Sequence, residues 1–159
     1  MTESAVEKPD PIELDQAVMG NDVEAVKELL RRDVHINARN MRVAVRNGYT
    51  EIVRLLIEKG ADVNIQAFDK STPLMEAVFI CNIEITRLLI NGGAEITISN
   101  NAGETAISLA ERTSRPEMIH LLKEALEVHH QLEVRAAIAQ KQQRLNAARQ
   151  PLVLRRPQP

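Results

Sequence analysis

The sequence predicts an all-α solenoid, a pair of helices tiled along the chain, and three observations carry that prediction. Ala44, Ala77 and Ala110 lie 33 residues apart, and the chain around each of them repeats. Downstream, the same register holds Glu51, Glu84 and Glu117, then Ile52, Ile85 and Met118, then Leu55, Leu88 and Leu121, then Leu56, Leu89 and Leu122. Apolar residues at i, i+3 and i+4 draw one stripe along a helix, and such a stripe needs a neighbour to bury it. Two helices and a turn are too small to fold alone, so stacking of successive copies must supply the core.

The elements follow in order. Asp10, Pro11 and Glu13 form a capping-box-like start, with aspartate as N-cap and proline at the first helical position, where its missing N–H costs nothing. A first copy follows, with Ala17, Glu24, Ala25, Val26, Leu29 and Asn37 under Ala44, Glu51, Ile52, Val53, Leu56 and Asn64. Its offset is 27 residues, six short of the period. The loss falls in a turn: Asn64 to Ala77 and Thr97 to Ala110 each span 13 residues, whereas Asn37 to Ala44 spans seven. Asn37-Ala38-Arg39-Asn40-Met41 therefore runs almost directly into helix. The second pair should still stack, because Met41, Val45, Ile52, Leu55 and Leu56 keep their positions.

In the third copy Thr72 is the expected N-cap of a short helix, with Pro73 first inside it. The longer helices should end at Gly60 and Gly93, since glycine takes the left-handed conformation past a C-cap without penalty. The fourth copy lacks that terminator, Leu126 and Glu127 standing where Gly60 and Ala61 do. From Pro116 to Gln150 there is no further glycine or proline, so one helix of about 35 residues, roughly 50 Å long, is expected, part of it projecting beyond the repeats.

Thr72-Pro73-Leu74-Met75-Glu76-Ala77, Glu51-Ile52-Val53-Arg54-Leu55-Leu56-Ile57 and Gly60-Ala61-Asp62-Val63-Asn64 together resemble the ankyrin repeat, with methionine at Met75 where that family usually has histidine. The resemblance spans about Asp10 to Leu126. It implies four helix pairs with β-turn fingers between them: copies at about 10–37, 38–64, 65–97 and 98–126, then a helical extension over 127–150. Tails 1–9 and 151–159 are expected to be disordered. It also implies that the second finger is missing or reduced to a tight turn.

Composition agrees. In 159 residues the only aromatics are Tyr49, Phe68 and Phe79, so small aliphatic side chains must fill thin layers. A single cysteine, Cys81, excludes an intramolecular disulfide, no apolar run reaches a membrane span, and residues 1–10 carry no secretory signal. The expected location is intracellular, cytoplasmic or nuclear. Residues 1–126 hold 14 Lys and Arg against 20 Asp and Glu, a net −6, while 127–159 hold six against two, a net +4.

Chemistry is scarce. Adjacent His129 and His130 point to different helix faces, and His35 and His120 have no cysteine or carboxylate at ligand spacing, so no metal site is expected. Cys81 falls at the position of Gly48 in the inter-helix turn, with no neighbouring base, and reads as a spectator. Gly92-Gly93 is a terminator, since no phosphate-binding glycine motif exists in the chain. Glu24, Glu51, Glu84 and Glu117 each sit in a first helical turn, where a carboxylate favours the helix dipole. No catalytic residues, cofactor or metal are assigned, and the chain reads as a non-enzyme.

The family resemblance implies that a partner protein binds the fingertips and the exposed face of the short helices. In the third copy those positions are Phe68 and Asp69 at the fingertip, Ser71 beside it, and Phe79 and Ile80 at the helix end; the second copy has Arg46 and Asn47, the fourth Asn101, Ala102, Glu104, Arg112 and Thr113. Two readings of the phenylalanines stay open: an apolar anchor ringed by polar groups, the usual anatomy of a hot spot, or rings folded back to fill the space beside the shortened turn. The partner-binding set is thus Phe68, Asp69, Ser71, Phe79, Ile80, Arg46, Asn47, Glu104 and Arg112. Along the basic extension, Val134, Ile138 and Leu145 make a weak coiled-coil seam interrupted by Lys141, and no aromatic interleaves the basic residues, so nucleic acid is a disfavoured partner. It reads as a solvated helix capping the last copy. A monomeric interaction module is the leading reading, ahead of a regulatory inhibitor of an enzyme and of a tether acting through the basic helix.

Overall fold

The computed structural model describes residues 10–149, and both terminal tails lie outside the described residues. Among the described residues there are eight helices: α1 (Pro11–Met19), α2 (Val23–Arg31), α3 (Ala38–Arg46), α4 (Thr50–Glu58), α5 (Pro73–Phe79), α6 (Ile83–Asn91), α7 (Ala106–Arg112) and α8 (Pro116–Arg149). Two compact units result, one through Lys123 and one from Glu124.

The first unit is two-layered. α1, α3, α5 and α7 pack on one another in sequence, α2, α4 and α6 form the second layer, and each odd helix from α1 to α5 packs on the even helix after it. The shared register explains the core. Ile52, Ile85 and Met118 are buried, as are Val26 and Val53 at the next position, and so are Leu56, Leu89 and Leu122, with no exposed surface left on the three leucines. Each such side chain contributes about 1.5–3 kcal/mol through removal of apolar surface from water.

Caps form as the residue types dictate. The side chains of Asp10, Asp22, Asn82 and Thr105 accept hydrogen bonds from Ile12, Ala25, Ile85 and Ser108 N–H, and Thr72 Oγ1 accepts from Met75 N–H at 3.3 Å ahead of Pro73. Among the described residues every positive-φ residue falls in one of three repeating positions: Asn21, Gly48, Cys81 and Ser114 between the helices of a pair, Asp33, Gly60 and Gly93 after the second helix, Lys70 and Gly103 at the fingertips. Glycine at 92 has a different cause. A Cβ there would stand 3.0 Å from Ile57 Cγ2 of the preceding copy, so any side chain would require Ile57 to shift.

Fingers form where the period is complete. In the first of them Lys70 N–H donates to Ala67 O and Ala67 N–H to Ser71 O; in the next, Gly103 N–H donates to Asn100 O and Asn100 N–H to Glu104 O. The two tips are joined, Asn101 donating its N–H to Asp69 O at 2.8 Å and its Nδ2 to Phe68 O at 3.2 Å. Asn64 ties the copies again: Oδ1 accepts from Glu95 N–H at 2.8 Å and Nδ2 donates to Gly93 O at 3.2 Å.

At the six-residue deficit the equivalent asparagine has another task. Asn37 is the N-cap of α3 and forms a reciprocal capping box with Asn40: Asn37 Oδ1 accepts from Asn40 N–H at 3.0 Å, and Asn40 Oδ1 from Asn37 N–H at 2.8 Å. Both amides then donate to Asp15 Oδ1 on α1, Asn37 Nδ2 at 3.1 Å and Asn40 Nδ2 at 2.6 Å. Where the finger is lost, this triad closes the joint. Asn40 is buried, so Asn40→Ala should lower stability by about 1–3 kcal/mol, leaving Asp15 short of a donor and the cap half-made. Urea denaturation measures it; a loss below about 0.5 kcal/mol would mean that the triad contributes little.

The second unit, residues 124–149 as described, is helix, and its side chains from 127 to 147 are exposed. Amide protection should therefore fall gradually from Leu126 towards Arg149, as helical hydrogen bonds beneath exposed side chains open more readily towards the end of the helix. Hydrogen exchange with a sharp break near Glu127 would contradict a continuous frayed helix.

Candidate functional site

A cleft of about 320 Å³ opens on the first layer, lined by α3, α5, α7 and the two fingers. Its walls include Arg46, Asp69, Ser71, Phe79, Ile80, Glu104 and Arg112, together with Met75, Glu76, Asn100 and Leu109. Seven of the nine sequence-predicted positions thus meet in one depression. The other two do not line it: Phe68 stands on the fingertip at 104% exposure, and Asn47 is exposed at the C-cap of α3.

Neither phenylalanine fills the space beside the shortened turn. Phe79 ends α5 with 65% of its surface in solvent, and Phe68 is wholly exposed. Apolar rings in water are the feature of this surface that folding does not explain.

Local structure positions each polar group. The finger turn brings Ser71 against Asp69, Ser71 N–H donating to Oδ1 at 3.0 Å and Ser71 Oγ to Oδ2 at 2.8 Å. The Ser71 hydroxyl above all, then its N–H, with a weaker pull from Arg42, hold the Asp69 carboxyl below the ordinary carboxylate range. Glu104 Oε1 pairs with Arg112 Nε at 2.9 Å, and Asn100 Nδ2 donates to Glu104 Oε2 at 3.3 Å.

Glu76 and Arg42 were not legible in the sequence as part of the site. The Glu76 side chain is only 14% exposed and stands between two guanidiniums of α3, with Oε1 3.5 Å from Arg42 Nε and 3.7 Å from Arg46 Nη2. Glu76 Oε2 and Arg42 Nε are both buried without a hydrogen-bond partner. The sequence held one signal, an acidic residue inside the Thr72–Ala77 motif, but its partners Arg42 and Arg46 lie 34 and 30 residues upstream on the preceding copy. The histidines gather nowhere: His35, His120, His129 and His130 are all exposed, and among the described residues no cluster could hold a metal ion. Cys81 is half-buried in its left-handed turn.

Stacked helix pairs, joined fingers and a groove on the short-helix face define a tandem-repeat scaffold. The family pattern for ankyrin repeats, three copies, matches residues 14–67 and 41–133. The chain belongs to the ankyrin-repeat family. Among curated proteins it is similar to protein phosphatase 1 regulatory subunit 12A of Mus musculus, 37% identical over 71 residues, 45% of this chain and 7% of that protein. It is 40% identical over 67 residues to BCL-6 corepressor-like protein 1 of Homo sapiens, 42% of this chain and 4% of the relative. The likeness to ankyrin repeat and SAM domain-containing protein 6 of Rattus norvegicus reaches 35% over 114 residues, 65% of this chain and 13% of that protein. The chain spans a small part of each relative's length. Among the described residues no helix is long and apolar enough to cross a membrane.

Proposed function

We propose that this chain is a non-enzymatic interaction module, acting inside the cell as a monomer, that holds another protein in the cleft between its fingers and short helices. The observation that carries the reading is the exposed Phe79 ring beside Ile80, inside a depression rimmed by Arg46, Asp69, Glu104 and Arg112, with Phe68 standing free on the adjoining tip. An apolar centre with a polar rim is how binding hot spots are built. The ankyrin repeats support protein binding as the mode, and the exposed histidines and half-buried cysteine supply no nucleophile and base in contact. Affinity capture with the wild-type chain beside a Phe79→Ala chain tests it. Partners retained equally by both would count against the cleft.

A narrower reading makes the chain a regulatory subunit of an enzyme. The match to part of protein phosphatase 1 regulatory subunit 12A favours it, and it requires that a captured enzyme change its turnover when the chain is added. A tether through the basic helix is the remaining reading; binding that weakens steeply with salt would promote it.

A further inference from the structure

The helices of the first layer end on equivalent residues: Arg46 closes α3, Phe79 closes α5 and Arg112 closes α7. Three neighbouring rungs of the cleft therefore present cation, aromatic ring, cation. The lining carries Arg46 and Arg112 against Asp69, Glu76 and Glu104, and Arg42 beside Glu76 evens the count; Glu76 and Glu104 lie deep, whereas Asp69 is exposed on the finger. The Arg46 and Arg112 side chains are 69% and 59% exposed, whereas Glu76 and Glu104 are 14% and 28% exposed.

Each acid has a cation or a donor beside it, although Glu76 Oε2 itself accepts no hydrogen bond. Glu76 has Arg42 Nε at 3.5 Å and Arg46 Nη2 at 3.7 Å, and neither contact is a hydrogen bond, so the exposed Arg46 fork keeps its donors for a ligand. Glu104 engages Arg112 through Nε, and both Asp69 oxygens accept from Ser71. An incoming chain thus meets two guanidiniums flanking an apolar ring, and guanidinium is the side-chain group best matched to carboxylate.

Resting on the proposed interaction module, we infer that the occupant of this cleft is an extended segment of another protein with an apolar residue at its centre and a carboxylate on either side. Spacing specifies it further. Packed helices lie about 8–10 Å apart and an extended chain advances about 3.3 Å per residue, so successive rungs are met by roughly every third residue. The segment is acid-x-x-apolar-x-x-acid: the central side chain lies on Phe79 and Ile80, one carboxylate reaches Arg46 and the other Arg112.

Selection of a displayed library of random 12-residue peptides against three immobilised chains tests this: wild type, Phe79→Ala, and the double variant Arg46→Glu with Arg112→Glu, each first shown by urea denaturation to fold. Wild type should enrich the acid-x-x-apolar-x-x-acid pattern, Phe79→Ala should lose it, and the double variant should enrich basic residues at the flanking positions. For one enriched peptide, fluorescence anisotropy should show roughly fivefold weaker binding for each Arg→Glu change, as for an exposed ion pair. That difference should shrink in about 1 M salt, where the screening length falls to about 3 Å. Peptides that need Phe79 but carry no acidic flanks would overturn this inference and leave the interaction module standing. Peptides indifferent to all three substitutions would overturn both, and a selection with no enrichment would overturn the inference.

Discussion

Leu89→Ala should destabilise the chain by about 2–5 kcal/mol, the largest loss expected from any single side chain here. Leu89 has no exposed surface and lies on α6, which packs against α5 of its own pair and α4 of the preceding one. Truncation removes the transfer term for the deleted atoms and leaves a cavity that the surrounding helices can close only in part. Position matters as much as burial. In a stack the stability is a sum of unit and nearest-neighbour terms, so a defect in an internal pair weakens two interfaces, while one at an end weakens a single interface. Leu89→Ala should therefore cost more than Leu29→Ala near the N-terminal end, where α2 packs on α1 and α4. Urea unfolding measures both, and a Leu89→Ala loss below about 1 kcal/mol would contradict the stacking register.

The helices and their register were legible because the repeat itself aligns them: a buried residue in one copy predicts its counterparts. Turn chemistry was legible where glycine or proline announced it, at Gly60, Gly93 and Thr72-Pro73. It was hidden where other residues adopt the same backbone. Asn21, Asp33, Lys70 and Ser114 all have positive φ, yet only asparagine and aspartate are even modestly suited to that conformation, and repetition of position is the sole clue. Cys81 shows the limit well: its place under Gly48 was visible, and its φ of 57° follows from that place and not from its own chemistry.

The deficit was visible as a missing six residues, but not its repair. Nothing in Asn37, Asn40 or Asp15 taken singly announces a triad, since the bonds join α1 to the start of α3 across 22 and 25 residues of chain. The site divides in the same way. Positions on rims and helix ends could be read from the repeat, whereas the Glu76 floor with Arg42 depends on how α3 and α5 meet. Burial was beyond sequence reasoning for Phe68 and Phe79, because an aromatic side chain at a fingertip or helix end is equally consistent with an anchor and with a filler.

That ambiguity gives the second large effect its diagnostic value. With Phe68 and Phe79 both in solvent, replacing either by alanine removes little buried surface and should lower stability by about 0.5 kcal/mol or less, as for ordinary surface substitutions. Binding should respond differently: each truncation should weaken the complex by roughly 2 kcal/mol or more, about thirtyfold in Kd, as expected for an aromatic anchor desolvated on docking. The two residues are not interchangeable. Phe79 lies in the cleft beside Ile80, whereas Phe68 rides on a fingertip braced by Asn101, whose Nδ2 donates to the Phe68 carbonyl. Asn101→Ala should therefore reproduce part of the Phe68 loss by loosening the tip without touching the ring, and should leave the contribution of Phe79 intact. Measuring unfolding and affinity on the same set of variants separates the causes. Losses of several kcal/mol in stability with unchanged intrinsic affinity would place the rings in the folded core and move the contact to Arg46, Asp69, Glu104 and Arg112.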